Sequence, residues 1–409
     1  YFPLSLISST RNDRETTVAP SSVRAAGLAV VATVLAVSLA EILLTGLAPQ
    51  IHRLPDVWEH DPQLGWRHRP SATGRLKTPE FDVLYRFDVQ GIRTDGDSPP
   101  QDTAPQHGSP GIGLYGDSFA EGWGVDQEQS VSGQLQALLK QDWPRARVDN
   151  MGVAGYGTDQ QLLLYKRSAQ LQAHDIVLVL FYGNDLWNKA SRQGIGAQRG
   201  DKPFFRLDTD GRLRLHGVPV PRDPGWDRLP SFLDHSARHY QIFSLLEKAL
   251  KKTEITVGRQ DVFYAALYGE RSSEIEAQWE LTCRLLARFR DDVEADGRAF
   301  AVIHVPSIAQ VDSVHWAKKR TRFGLTREYD LQKPNRILSE WALDEGVAYL
   351  DLQPAFLERQ MAGETLYYED SHWRAQGHRL AARETLEFLR EVFLNAGPSN
   401  VKDRLHRDG

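Results

Sequence analysis

Residues 176–181 read Ile-Val-Leu-Val-Leu-Phe and, after Tyr182, run into Gly183-Asn184-Asp185. Six apolar residues without alternation mark a strand buried on both faces, as in a parallel sheet. Working outward, shorter apolar runs recur at 112–115, 146–151, 300–305 and 347–350. Helical stretches lie between them. Residues 129–140 and 158–173 form two, the second with Leu162 and Tyr165 three apart. A third stripe, Ile275, Trp279, Thr282, Leu286, Phe289 and Val293, keeps helical spacing until Gly297 stops it. Ser273 and Glu276 stand as a capping box at its start. The last helix carries Ala382, Leu386, Leu389 and Phe393 and ends at Gly397-Pro398. This alternation predicts an α/β protein: a three-layer α/β/α sandwich on a five-stranded parallel sheet.

Four short motifs follow strand ends, where ligands bind in open α/β sheets. Gly116-Asp117-Ser118-Phe119 follows the first strand and presents a serine hydroxyl there. Alone it reads more readily as a helix cap. Asn150-Met-Gly-Val-Ala-Gly155 follows the second, and a glycine N–H there can face an oxyanion. Gly152 and Gly157 compete with Gly155 for that role. Asn184 follows the third strand with an amide able to donate to the same oxyanion. Glu369-Asp370-Ser371-His372-Trp373 precedes the last helix. A histidine there can take the serine proton, and a nearby carboxylate can orient the ring. His378, inside the helix, reads as structural. Together the four supply a nucleophile, oxyanion donors and an oriented base, the parts of an acyl-transfer site.

The outer segments set the address. Residues 25–40 carry no charge, and the apolar stretch continues past Glu41 to Ala48. Its 24 residues make about 36 Å of helix, enough for a hydrocarbon core of about 30 Å. An uncleaved transmembrane signal anchor is expected; a cleaved signal ending at Ala48 and a buried soluble helix are the competing readings. Arg11, Arg14 and Arg24 precede the span and Arg53 follows it, a slight lean towards a cytoplasmic N-terminus and an extracytoplasmic catalytic domain. The expected organisation is a disordered tail (1–24), the span (25–48), a linker with short strands (49–110), the catalytic domain (111–397) and a tail (398–409). The domain carries an insertion at about 186–271, expected to cover the site as a lid or subdomain. Within it, apolar residues flanking Asp210-Gly211 predict a β-hairpin. The Asp-x-Asp-Gly letters there do not make a calcium loop, because Arg206 falls at the first ligand position.

Composition excludes several classes. Of 409 residues, 41% are hydrophobic and 25% charged, which rules out wholesale disorder and a multi-span membrane protein. A net charge of −5 gives no basic excess for a nucleic-acid partner. Cys283 is the only cysteine, so no internal disulfide or multi-cysteine zinc site is available. No phosphate-binding loop or paired-histidine motif calls for a cofactor or metal, and none is expected.

On these motifs the chain resembles the SGNH/GDSL hydrolase superfamily of serine esterases and acyltransferases, over about residues 111–395. The resemblance implies a flavodoxin-like fold with Ser118 as nucleophile and His372 as base. It places the oxyanion against the Ser118 N–H, the Gly155 N–H and the Asn184 amide. Many members carry the acid three residues before the histidine, here Glu369. The string Asp-Ser-His-Trp matches a variant with the acid at −2, which favours Asp370, with Glu369 in reserve. The implied reaction is ester hydrolysis through an acyl-serine, possible substrates including acyl groups of envelope carbohydrate. O-acyl transfer to polysaccharide by the same residues, and a membrane-tethered binding protein without turnover, are the alternatives. Trp123, Tyr156 and Trp187 are candidates to line a sugar-sized pocket.

Overall fold

The computed structural model describes residues 20–48, 56–96, 109–168, 174–188, 201–222, 240–251, 262–269 and 272–394. Five parallel strands form the heart of its sheet: β6 (Gly111–Gly116), β7 (Arg147–Gly152), β8 (Ile176–Tyr182), β11 (Ala299–Val305) and β12 (Ala348–Asp351). They stand in the order β12-β11-β8-β6-β7. The chain leaves β6 to one side for β7 and returns to the other for β8. That reversal opens a crevice at the carboxyl end of β6.

The unbroken apolar runs have a direct cause. Leu114, Leu178, Leu180 and Ile303 point into one core, under helices α3 (Val131–Asp142) and α12 (Ala375–Leu389). Tyr115, Val177, Val179, Phe181 and Val302 point into the other. There α4 (Thr158–Ser168), α7 (Ser273–Ala295) and α10 (Lys333–Asp344) cover the sheet with Tyr165, Phe289 and Leu338. Both faces of β6, β8 and β11 are therefore dry, while the edge strand β12 is half-buried.

The sheet is wider than the five strands expected. Residues 56–96, expected as a linker with short strands, hold β1 (Trp58–Asp61), β2 (Gly65–His68), β3 (Thr73–Lys77), β4 (Asp82–Phe87) and β5 (Arg93–Thr94). The last three add antiparallel strands beyond β7 and bring the sheet to eight among the described residues. In β4, Val83, Tyr85 and Phe87 are buried while Asp82, Leu84 and Arg86 are exposed. Such alternation suits an antiparallel edge with one wet face, a weaker signal in sequence than a continuous apolar run.

Two local expectations shift. Helix α7 begins one residue earlier, with Ser272 as N-cap, so Ser273 lies in the first turn and the Ser273–Glu276 box does not form. The last helix gives way at Arg390 to a wider turn through Leu394, and Gly397-Pro398 lies outside the described residues. Within the insertion the expected hairpin is present, as β9 (Phe204–Leu207) and β10 (Leu213–His216) around Asp210-Gly211. It packs Phe205, Leu207 and Leu213 onto the α4/α7 side.

The N-terminal helix α1 (Pro20–Leu47) contains Gly27–Leu47, 21 residues long and apolar enough to cross a membrane, none of it buried in the protein core. It meets α6 (Gln241–Lys251) from the insertion.

Candidate active site

Ser118 opens the short helix α2 (Ser118–Glu121) at the carboxyl end of β6. Asp117 caps that helix, its Oδ1 accepting the Phe119 N–H at 2.9 Å. The cap reading and the functional reading of Gly-Asp-Ser therefore divide between two residues: Asp117 caps and Ser118 faces the crevice. His372 arrives from the loop before α12, with Nε2 2.9 Å from Ser118 Oγ. Its ring lies between Phe119 and Trp123, at centroid distances of 5.3 and 5.5 Å.

Asp370 supports the ring from the other side. Its Oδ2 lies 3.2 Å from His372 Nδ1, an ion-pair distance without the alignment of a hydrogen bond. Oδ1 accepts the His372 backbone N–H at 3.0 Å, and Oδ2 accepts the Trp123 indole N–H at 3.2 Å. Burial works against the Asp370 charge. The field of His372 and these hydrogen bonds outweigh it and hold the carboxyl down to about 2. Glu369 is exposed, and its backbone N–H donates to Glu80 Oε2 at 2.9 Å. Among the described residues no contact joins its carboxylate to His372.

The turn carrying this pair is held from outside. Ser371, between Asp370 and His372, has φ +80°, a left-handed conformation uncommon for a residue other than glycine. Its Oγ accepts a hydrogen bond from Lys319 Nζ, on helix α9 (Ser313–Phe323; α8 is Ile308–Val311). Burial lowers the Lys319 pKa, and the Asp370 and Glu369 carboxylates oppose that shift.

The loop after β7 lies alongside. Val153 N–H donates to Gly116 O at 3.1 Å, and Ala154 N–H donates to Glu121 Oε2. These bonds tie the loop to both flanks of Ser118. Gly155 follows at φ +81°. Neither its N–H nor that of Ser118 has an acceptor among the described residues. Gly152 does different work. A Cβ there would come within 2.1 Å of Glu121 N, so it allows β7 to press against α2.

Asn184 stands just before α5 (Asp185–Asn188). One amide N–H donates to Asp117 Oδ2 at 3.0 Å, and the amide keeps a second donor. Asp117 is fully buried. Desolvation raises its pKa, opposed by the Phe119 N–H, the Asn184 amide and His372.

Of the aromatic candidates, Trp123 flanks His372. Tyr156 is a core residue whose hydroxyl donates to Trp66 O at 2.5 Å. The Trp187 side chain lies outside the described residues. From the insertion, the turn Val262–Leu267 rests against α5, with Ala266 Cβ 3.1 Å from where a Gly183 Cβ would stand. His378 is buried edge-on to Trp373.

Four residues escape a reading by motif. Lys319 lies on an unremarkable basic helix and gives no signal in sequence. Glu121, buried in the apolar Ser-Phe-Ala-Glu turn, was detectable as a carboxylate where none belongs. Its partner His68, 3.3 Å away, and the buried Arg93 come from the segment read as linker.

A hydroxyl at a sheet's switch point, in hydrogen-bond contact with an imidazole beside a carboxylate, defines the class of serine acyl hydrolases. The profile of the GDSL-like lipase/acylhydrolase family matches residues 114–380, and the chain belongs to that family. It is a serine esterase of the GDSL/SGNH type. No curated protein sequence matches the chain. Solved structures similar to it include TesA (11% identity, TM-score 0.36, covering 69% of this chain and 98% of that one). A catalytic mutant of the acetylxylan esterase Axe2 from Geobacillus stearothermophilus gives 13% identity, TM-score 0.35 and coverages of 69% and 95%. The esterase EstA from Pseudoalteromonas sp. gives 12%, 0.35, and 70% and 100%. At these scores nothing about substrate carries over.

Proposed function

We propose that this esterase cleaves its substrate through an acyl-Ser118 intermediate, with His372 as general base and acid and Asp370 as its orienting carboxylate. The contact of 2.9 Å between Ser118 Oγ and His372 Nε2 carries the reading. His372 takes the hydroxyl proton as Oγ attacks the ester carbonyl. The negative charge that develops on the carbonyl oxygen is met by the Ser118 and Gly155 N–H groups and the Asn184 amide. Their lack of other acceptors, and the free second donor of Asn184, support that assignment. His372 then protonates the leaving alcohol. Water, deprotonated by the same ring, resolves the acyl-enzyme. Asp370 stays ionised throughout the neutral range and stabilises the imidazolium in each half-reaction.

The substrate we infer is an acyl group on a bulky hydroxyl compound, with O-acyl groups of envelope carbohydrate as the candidate. The support is the openness of the site. His372 and Asp370 keep 24% and 39% of their side chains exposed, which suits an ester on a polymer better than a small enclosed molecule. A catalytic domain held outside the cytoplasm by α1 would face such material.

The test is turnover of p-nitrophenyl acetate, and then of O-acetylated oligosaccharides, beside Ser118→Ala. Activity lost in the variant supports the acyl-serine route. Activity retained in Ser118→Ala would overturn it. Hydrolysis of the activated ester without release of acetate from any oligosaccharide would overturn the carbohydrate assignment alone.

A further inference from the structure

Glu41 is the only ionisable residue in the apolar stretch Gly27–Leu47. A carboxylate in a span is costly unless something other than lipid meets it. Here Oε1 accepts the Gln241 N–H at 2.6 Å and Oε2 accepts the Ile242 N–H at 3.1 Å. These are the first two residues of α6, where a helix has backbone donors without internal partners and the positive end of its dipole. Glu41 therefore caps α6 with both carboxylate oxygens. Around this contact Ala40, Glu41 and Leu44 are half-buried, while the rest of α1 from Gly27 to Leu47 is exposed.

The start of helix α6, Gln241 to Leu246, departs from an aqueous pattern, with Ile242 and Phe243 half-buried. Its polar Gln241 and Ser244 are 6% and 3% exposed, whereas Leu245 and Leu246 are 45% and 51% exposed. In water the leucines would turn inward and the polar residues outward. Small and polar residues inside with leucines outside is how helices pack when the surroundings are hydrocarbon. The position agrees. Glu41 lies six residues before Leu47, about 9 Å along the helix from its end. The 11 residues of α6 span about 16 Å, too short to cross a core of about 30 Å.

We propose that α6 is a second membrane element, lying in the leaflet nearest the catalytic domain, docked on α1 through Glu41 and with Leu245 and Leu246 among the acyl chains. The proposal rests on α1 crossing the bilayer. Its consequence is that one insertion touches both the membrane and the acyl site, since the same segment brings Val262–Leu267 against α5 beside Asn184.

The experiment uses the full-length chain carrying Cys283→Ser, with one cysteine introduced as Leu246→Cys, or as Leu35→Cys for control. Each is labelled with an environment-sensitive fluorophore and reconstituted into phosphatidylcholine vesicles containing lipids with quenchers at known depths. Retained hydrolysis of p-nitrophenyl acetate reports that each variant is folded. The expected result is a blue-shifted probe at 246, quenched most by shallow labels, and a probe at 35 quenched most by deep ones. Adding Glu41→Ala should at least halve the quenching at 246 and leave that at 35 unchanged. Quenching at 35 with none at 246 would overturn the proposal while leaving the span intact. No quenching at either position would overturn the span and the proposal together. Quenching at 246 that is indifferent to Glu41→Ala would overturn docking through Glu41.

Discussion

His68 Nε2 lies 3.3 Å from Glu121 Oε2, with both side chains buried, and the same carboxylate oxygen accepts the Ala154 N–H. A residue of the N-terminal segment thus reaches the far end of helix α2, which carries Ser118, and the loop that carries Gly155. Arg93 adds to this joint. Its guanidinium stacks on Tyr85 at 3.9 Å and donates to the carbonyls of Glu121, Gly122 and Val125.

Residues 56–96 should therefore be indispensable to the acyl site. A fragment beginning at Gly111 loses three sheet strands, takes Arg93 from the carbonyls of Glu121, Gly122 and Val125, and takes His68 from the buried Glu121 carboxylate. Each buried polar group so stranded costs about 1–3 kcal/mol. Such a fragment should be insoluble or melt far below one beginning at Gln50. Equal melting temperatures in the two fragments would show the segment to be a mere appendage.

The two neighbouring carboxylates should separate cleanly in kinetics. Asp370→Asn is expected to lower kcat by about 100-fold, the order expected for an oriented general base. Glu369→Gln should change it little, because its carboxylate makes no contact with His372. Since Asp370 is held down to about 2, the acid limb of the wild-type pH–rate profile should not arise from it. Comparable losses in the two variants would contradict this assignment.

Lys319 should act on rate through geometry. By bonding Ser371 Oγ it stabilises the left-handed turn that sets His372 beside Asp370. Lys319→Met is expected to reduce kcat by about 10-fold with KM nearly unchanged, since a small displacement of a positioned base is costly. Steady-state kinetics decide the matter: a change confined to KM would mean that Lys319 contacts substrate instead.

His378 gives the chain an acid liability. Burial, with the nearby charges of Arg93 and His372, lowers its pKa to about 3 from 6.5. Above pH 6.5 it is neutral whether folded or unfolded. Between 6.5 and 3 only the unfolded chain takes up the proton, so stability falls as pH falls. By pH 4.5 the loss from this residue should be about 2–3 kcal/mol. Denaturant titrations at pH 7 and 4.5 should show a smaller loss in His378→Leu than in the wild-type chain. An identical loss would remove His378 as the cause.

The unbroken runs at 112–115, 176–181 and 300–305 were enough to read a parallel α/β sheet, because a strand dry on both faces carries its environment in its own composition. The apolar stretch before Ala48 was legible for the same reason. Motifs at strand ends named Ser118, Asn184 and His372, since the carboxyl ends of parallel strands converge on one crevice. Choices among neighbours in the chain were not legible. Gly152 and Gly155 differ in what the fold asks of them, close approach to Glu121 N against a left-handed turn, and only folding supplies that difference. Asp370 and Glu369 differ by which way one tight turn sends each side chain, and Lys319, 52 residues away from Ser371, helps to set that turn. Short strands were legible in residues 49–110, but not that β3 to β5 join the main sheet, because an edge with one wet face needs only alternate apolar residues and these do not name its partner. Local pattern records how a segment is solvated. Contacts between distant segments, such as His68 with Glu121 or Glu41 with Gln241, depend on where the whole chain places them.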